Sequence, residues 1–242
     1  MANKFRTYKK DLDYSYTLGI FLTIELLTYK PHQIITVLIH SKAQDSDGVK
    51  KIIDLCKMNN VPYEINDKMI NILSPKDNCF AVGIFNKYEE KLDKTENHVV
   101  LVNPSNSGNL GTIIRTCLGF GVKNLAIIKP SVDIFDPKTV RASMGALFNL
   151  SFSYFNHFED YYKVFHNHDI YPFMLNAKLK IYEVNPNKNK PFALTFGNES
   201  SGLDDSFLSI GTSVIIPHHS TIDSLNLSIA TGIALYEFTK NT

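Results

Sequence analysis

Two α/β units in tandem are the fold class predicted by this 242-residue chain, and three observations predict it. Short apolar runs (IITVLI at 34–39, CFAVGIF at 79–85, LAII at 125–128, FALTF at 192–196) read as strands buried on both faces. Segments with helical spacing alternate with these runs in both halves, as they do where helices cover a mostly parallel sheet. Between the halves, Asn86 to Asn97 (NKYEEKLDKTEN) is polar and charged throughout, the best linker candidate in the chain. The expected division is a small α/β domain over 1–90, a linker over 91–97 and a second domain over 98–242.

In the first half, Lys4, Arg6, Lys9 and Lys10 sit among aromatic residues. The ordinary expectation is a solvated tail, and the alternative is contact with nucleic-acid phosphates. Tyr14 to Thr28 has a helical pattern that Lys30-Pro31 stops. Ile34–Ile39 is a buried strand. A helix follows from Asp47 through Met58, with Val49, Ile52, Ile53 and Cys56 on one face. Val61–Ile65 is a short strand, Lys68–Leu73 a short helix, and Cys79–Phe85 the closing strand.

The second half restarts with a strand at Val99–Val102, a turn-rich loop to Gly108 and a helix from Leu110 to Gly119. Leu125–Ile128 is the next strand. Pro137–Leu147 reads as a helix, Pro137 suiting its first turn. Phe152–Phe155, Ile170–Leu175 and Phe192–Phe196 are strands, and Phe158–His166 is a helix. A Lys- and Asn-rich surface loop covers 185–190. After an apolar run to Ile216-Pro217, the turn His218–Asp223 precedes a C-terminal helix. Ser224 can cap that helix, and Ile229, Ile233 and Tyr236 recur at core spacing. Gly232, costing about 1 kcal/mol mid-helix relative to Ala, suggests close approach by a backbone or ligand.

Composition narrows the function classes. A chain with 44% hydrophobic and 20% charged residues is of ordinary globular type. No apolar run approaches the roughly 18 residues of a membrane span, and MANKFRTYKKDLDYSY lacks a signal-peptide core. Cys56, Cys79 and Cys117 show no CxxC spacing, so neither a disulfide framework nor a zinc site is indicated. A reducing cytoplasm is the expected location. Net charge of +1 is silent on nucleic acid, because many RNA enzymes rely on a local patch.

Three stretches carry chemistry. In Asn103 to Thr116, Asn109 stands before the helix as a candidate cap. Arg115 interrupts the apolar run TIIRTCL, where a guanidinium needs either a buried ion-pair partner or a phosphate or carboxylate ligand. The glycines do not form GxGxxG, so a dinucleotide-type fold is poorly supported. In LTFGNESSGL (194–203), Gly197 and Gly202 permit close backbone approach. Glu199 there suits a ribose hydroxyl, a cation, or merely the following helix N-terminus. The third stretch, IPHHSTIDSLNLS (216–228), runs from strand to loop to helix start, a common ligand position in α/β proteins.

In this order the three stretches resemble the motifs of the SpoU or TrmH family, the SPOUT-class RNA 2′-O-ribose methyltransferases. NSGNLGTIIRT (106–116) resembles the first motif, LTFGNESSGL (194–203) the second, and IPHHSTIDSLNLSIATGIALYE (216–237) the third. Arg141-Ala142-Ser143-Met144-Gly145-Ala146 fits the segment between the first two. The resemblance covers about 98–240; residues 1–85 are similar to the L30e-like RNA-binding domain that often precedes it. It implies a C-terminal SPOUT domain with a deep trefoil knot and a mostly parallel sheet, against the general rule that folds are unknotted.

The resemblance further implies S-adenosylmethionine as cofactor, no metal, and an active site completed across a homodimer. The donor pocket would be lined or bordered by Leu194, Thr195, Phe196, Gly197, Asn198, Glu199, Gly202, Ile216, Pro217, His218, Ser224, Leu225 and Asn226. Asn109, Arg115, Ser224 and Asn226 would place the ribose and activate its 2′-hydroxyl. The arginine is either the activating group or a holder of phosphate and developing alkoxide. Two departures border the pocket: His218 and Ser220 replace the family's usual methionine and glycine, and Asn106-Ser107 replaces Asp-Pro. His218 is a candidate titrating group against simple loop packing, whereas His166 and His168, flanking an exposed-looking helix end, carry no metal expectation. RNA is the implied partner, ribosomal RNA ahead of transfer RNA, with no membrane. The rivals are a non-catalytic RNA-binding protein of the same fold and an unrelated nucleotide-cofactor enzyme.

Overall fold

The computed structural model describes residues 5–74 and 78–240, so Lys4 lies outside the described residues. The chain separates into two compact units. The first holds residues 1–88 together with 133–149; the second holds 89–132 and 150–242.

The first unit runs β1 (Tyr14–Tyr16), α1 (Ile20–Tyr29), β2 (Ile34–Ile39), α2 (Asp47–Met58), β3 (Tyr63–Ile65), α3 (Asp67–Leu73) and β4 (Ala81–Asn86). Its sheet order is β1-β4-β2-β3, with β2 and β3 parallel and the other pairs antiparallel. Successive side chains of a strand face opposite ways. Leu38, Val82 and Ile84 therefore pack with Met69, Ile70 and Leu73 of α3. Val37, Ile39 and Ala81 pack on the other face with Leu27 of α1 and Val49, Ile52 and Cys56 of α2. Both faces are covered, which is why the strands read as unbroken apolar runs.

Three expectations for this half change. Tyr14–Tyr16 is a strand, because it pairs with β4, and α1 begins only after Gly19, whose φ of 109° interrupts the chain. The N-terminal stretch is anchored from Phe5, which is buried with Leu12. The segment 133–149 packs with the first unit: α5 (Pro137–Ala142) is short, and the chain leaves it through Met144 and Gly145 at φ 50° and 84°. Those left-handed residues end the helix expected to reach Leu147. Phe135 and Phe148 stack edge-on against Phe85, and Ser15 donates its hydroxyl to the Phe135 carbonyl at 2.5 Å.

The second unit contains β5 (His98–Val102), α4 (Ser107–Gly119), β6 (Asn124–Ile128), β7 (Ser151–Phe155), α6 (Phe158–Val164), β8 (Asp169–Pro172), β9 (Leu179–Lys180), β10 (Phe192–Phe196), β11 (Val214–Ile215) and α7 (Leu227–Thr239). Five strands form a parallel sheet in the order β7-β6-β5-β10-β8, and β9 pairs with β11 separately. One sheet face packs Val100, Ala126, Ile128 and Ala193 against Phe158, Tyr161 and Phe165 from α6 and the turn after it. Helices α4 and α7 pack on each other.

Residues 91–97 are largely exposed yet seated on the second unit. Leu92 is buried in the second unit's core, Glu90 donates its N–H to the Phe152 carbonyl at 3.1 Å, and Asp93 donates its N–H to Asn124 Oδ1 at 2.9 Å. The segment is polar in sequence because one apolar anchor and backbone hydrogen bonds suffice to seat it. Among the described residues, no helix is long and apolar enough to cross a membrane.

Candidate functional site

The strand order fixes where the site lies. From β5 the chain moves outward to β6 and β7, then crosses to β8 and returns through β10 to lie beside β5. Ligands of open α/β sheets gather outside the carboxyl ends of strands where the order reverses. Here the loops after β5 and β10 meet. Asn198 donates its side-chain N–H to the Asn103 carbonyl at 2.7 Å, and Asn198 Oδ1 accepts from Ser200 N–H (2.9 Å), Ser200 Oγ (2.7 Å) and Ser201 N–H (3.3 Å).

Gly197 is required sterically. A Cβ there would lie 2.1 Å from the Gly202 carbonyl carbon and 2.3 Å from Leu203 N. Gly202 itself sits at φ 68°, which L side chains rarely adopt. The two glycines thus close a narrow turn that projects Glu199 toward the start of α4.

Glu199 joins the first two motifs. Its Oε2 accepts the Ser105 N–H at 2.9 Å and the Ser105 hydroxyl at 2.7 Å; its Oε1 accepts the Asn106 N–H at 3.1 Å and Asn109 Nδ2 at 3.2 Å. Burial alone would raise its pKa, but hydrogen bonds from Ser105, its own backbone and Asn109 outweigh that and hold the carboxyl below its ordinary value. Asn109 in turn accepts Asn226 Nδ2 at 3.2 Å. Asn226 Oδ1 accepts Ser228 N–H (2.9 Å) and Oγ (2.7 Å). One polar chain therefore runs through all three motifs.

Two caps differ from expectation. Asn106 caps α4, accepting the Asn109 N–H at 3.0 Å, which leaves the Asn109 side chain free to link Glu199 and Asn226. Asn226, not Ser224, caps α7. Both helices gain a cap of the preferred type, and the other polar residues, Asn109 and Ser224, line the adjacent cavity.

A cavity of about 310 Å³ lies against this chain. It is lined by Phe196, Gly197, Asn198, Glu199, Gly202, Ile216, His218, Ser224, Leu225 and Asn226 of the expected pocket, and by Asn109. Leu194 and Thr195 are fully buried within β10 and do not reach it. Pro217 lines a neighbouring hollow with Lys180 and Asp223 instead. The sequence reading missed Phe173, Met174 and Leu175, which follow β8 and form an apolar wall. Their only sequence signal was an apolar run ending a strand. His218 lies on the cavity, with Nδ1 3.0 Å from the Ile216 carbonyl.

Arg115 is not brought to this cavity. Six residues beyond Asn109 along α4, it lies about 9 Å further on and roughly 240° round the helix. It is exposed, and among the described residues it has neither a buried ion pair nor a hydrogen bond. The C-terminal helix also departs from expectation. Ile229, Ile233 and Tyr236 are 55%, 38% and 58% exposed rather than core, and Tyr236 meets the exposed ring of Phe120 edge-on at 6.4 Å. A Cβ on Gly232 would meet only Thr116 Cγ2 at 3.7 Å, an ordinary contact, so no close approach within this chain demands that glycine.

His168 is buried rather than at an exposed helix end, its ring 4.3 Å from that of buried His98.

Comparison with known proteins bears on this geometry. The profile of the SpoU rRNA methylase family matches residues 96–236. A 23S rRNA (adenosine(1067)-2′-O)-methyltransferase of Streptomyces azureus is 28% identical over 198 residues, covering 77% of this chain and 73% of that protein. The AdoMet-bound rRNA methyltransferase of Sinorhizobium meliloti superposes with a TM-score of 0.79 at 28% identity, over 93% of this chain and 86% of that one. A solved structure concerned with 2-OH methylation of C/U34 on tRNA superposes with a TM-score of 0.54 at 26% identity, over 60% of this chain and 95% of that one. The chain spans about half (51%) of the length of one curated relative, a tRNA/rRNA methyltransferase of Synechocystis, and about three quarters (73%) of the Streptomyces azureus enzyme. With a family profile extending over more than half of its residues, this chain belongs to the SpoU rRNA methylase family.

Proposed function

We propose that this chain is an S-adenosylmethionine-dependent RNA 2′-O-ribose methyltransferase, acting on 23S ribosomal RNA as a cytoplasmic homodimer. The observation that carries the reading is the hydrogen-bonded chain Glu199–Asn109–Asn226 on the wall of the 310 Å³ cavity, in a member of the SpoU family.

The cavity suits the methyl donor. Phe173, Leu175, Ile216 and Leu225 offer apolar surface for an adenine ring, and the loop backbones around Gly197 and His218 offer groups for its edge. Glu199, held ionised by its hydrogen bonds, supplies the one negative charge that a sulfonium group favours. When bound, the donor supplies an electrophilic methyl group.

The chain's own residues do the positioning. Asn109 is fixed in orientation because its oxygen accepts from Asn226 and its N–H donates to Glu199. Ser224 presents an exposed hydroxyl at the cavity mouth, where it can hold the ribose. Placement of the hydroxyl in line with the methyl group provides much of the rate. Arg115 stabilises phosphate and developing alkoxide while the hydroxyl proton passes to water.

Arg115 is too far round α4 to serve the cavity of its own chain, so a second copy must bring it. The exposed apolar stripe Ile229, Ile233 and Tyr236, beside Phe120 and on the helix packed against α4, is the surface suited to that copy. The deep trefoil knot belongs to the same reading, with the residues after β10 closing the donor pocket. So does an L30e-like, RNA-binding role for the first unit. Ribosomal RNA is favoured over transfer RNA because an L30e-like module suits structured stem-loops, while enzymes of both kinds are among the relatives.

The test is transfer of labelled methyl from S-adenosylmethionine to unmodified ribosomal and transfer RNA pools, followed by nucleoside mapping. A 2′-O-methylated nucleoside in the ribosomal pool is the expected result. Methylation of transfer RNA alone would move the substrate. Neither donor binding nor transfer would remove the enzyme reading.

A further inference from the structure

A second cavity, of about 610 Å³, lies within the first unit and has no part in the site above. Its floor is apolar: Tyr16, Leu18, Leu73 and Cys79 line it. At its rim stand Lys138 and Arg141, on α5, the short helix that the later segment contributes to this unit. Both are exposed, and neither has an ion-pair or hydrogen-bond partner for its side chain among the described residues. Among the described residues, Asp136 is the one carboxylate in the lining, and its Oδ1 accepts the Lys138 N–H at 2.8 Å as the cap of α5. Among the described residues, the lining thus carries two cations against one anion. Gly19 adds open space, since nothing lies within 4 Å of a Cβ built there.

An apolar recess with two unpaired cations at its mouth fits a planar heterocycle joined to a phosphate. The recess is large enough for a nucleotide, and the cations offer what a phosphodiester requires. A purely apolar ligand would leave Lys138 and Arg141 without a role, and an inorganic anion would leave the floor empty. We propose that this cavity binds one nucleotide of the RNA substrate other than the one methylated, its base on the Tyr16–Leu18–Leu73–Cys79 floor and its phosphate on Lys138 and Arg141. The proposal rests on the RNA methyltransferase reading. It gives the segment 133–149 a task in substrate capture, separate from donor binding.

The test uses the full chain and whichever unmodified RNA pool, ribosomal or transfer, accepts labelled methyl groups. Three readouts are taken. The double variant Lys138→Gln/Arg141→Gln should raise KM for RNA about tenfold and flatten the log–log salt dependence of binding by about 2, with S-adenosylmethionine affinity unchanged. Saturating RNA should slow alkylation of Cys79 by N-ethylmaleimide about tenfold, read by peptide mass spectrometry; Cys79, buried to 6% exposure, lines the cavity, whereas Cys56 and Cys117 have no exposed surface and serve as internal controls. Unchanged KM and salt dependence, or unchanged Cys79 alkylation while methyl transfer proceeds, would overturn the proposal and leave the enzyme reading standing. If neither pool accepts methyl groups and S-adenosylmethionine does not bind, the enzyme reading fails and this proposal falls with it.

Discussion

Asn226 donates its side-chain N–H to Asn109 Oδ1 across 3.2 Å, tying the first turn of α7 to the first turn of α4 over 117 residues of sequence. The same Asn226 caps α7 through Oδ1, so one side chain holds a helix end and orients a site residue. The two tasks separate by substitution. Asn226→Ala should cost about 1 kcal/mol through the lost cap and reduce methyl transfer more than tenfold, on the order expected for a displaced positioning group. Asn226→Asp keeps the capping oxygen and loses the donor, so thermal stability should stay near wild type while turnover falls. Equal turnover in the aspartate variant would show that the bond to Asn109 is dispensable.

Gly197 offers a steric test. An added methyl group would lie 2.1 Å from backbone carbon of Gly202, where neither side can yield cheaply. Gly197→Ala should lose several kcal/mol of stability, above the 1–3 kcal/mol of ordinary overpacking, or open the turn and abolish donor binding. Calorimetric titration with S-adenosylmethionine, beside a thermal melt, reads both. A variant that melts and binds like the parent would contradict the geometry of the 197–202 turn.

Arg115 and Asn226 should complement across subunits. If each site uses the Arg115 of the other copy, Arg115→Ala and Asn226→Ala are each inactive alone. A one-to-one mixture forms half heterodimers with one intact site each, restoring about a quarter of wild-type activity. No recovery after subunit exchange would place Arg115 with its own chain's site or outside the chemistry. Ile233→Asp, on the exposed stripe of α7, should shift the sedimenting species to monomer and lower activity with it.

The buried histidines set an acid limit. His98 Nε2 lies 2.7 Å from the Asp93 carbonyl and therefore carries the proton, leaving Nδ1 to accept the Tyr161 hydroxyl at 2.9 Å. Burial, then the neighbouring His168, push the His98 pKa down to about 4; burial lowers that of His168 as well. Because the folded value lies below the unfolded one, the contribution is complete above about pH 6.5 and is lost as pH falls toward 4. His98 alone should cost about 3 kcal/mol over that window. Denaturant titrations at stepped pH should show this slope in the parent and a shallower one in His98→Gln.

Much of the fold was legible because burial on both faces writes itself into sequence. The strand Phe192–Phe196 and the helix Asp47–Met58 match their apolar patterns residue for residue. Tyr14–Tyr16 did not, since three residues cannot show a period and only pairing with β4 makes them a strand. Residues 91–97 read as a linker because a segment seated by backbone hydrogen bonds and a single leucine carries little apolar signal. The C-terminal helix misled in the opposite sense: apolar residues at core spacing are also what an interface shows, and Ile229, Ile233 and Tyr236 face outward.

The sequence by itself determined the family, the two α/β halves and the residues of the three motifs, because these depend on residue type and spacing along the chain. Tertiary structure alone decided which of those residues meet. Residues 133–149 leave their neighbours to join the first unit through Phe85, and Phe173 to Leu175 complete the cavity from a strand that carries no motif. Leu194 and Thr195 face the sheet core, while Glu199, Asn109 and Asn226 join in one hydrogen-bonded chain. The physical reason is the insertion of β10 between β5 and β8: hydrogen bonding to two strands distant in sequence fixes the loops at its end, and no local pattern encodes that register.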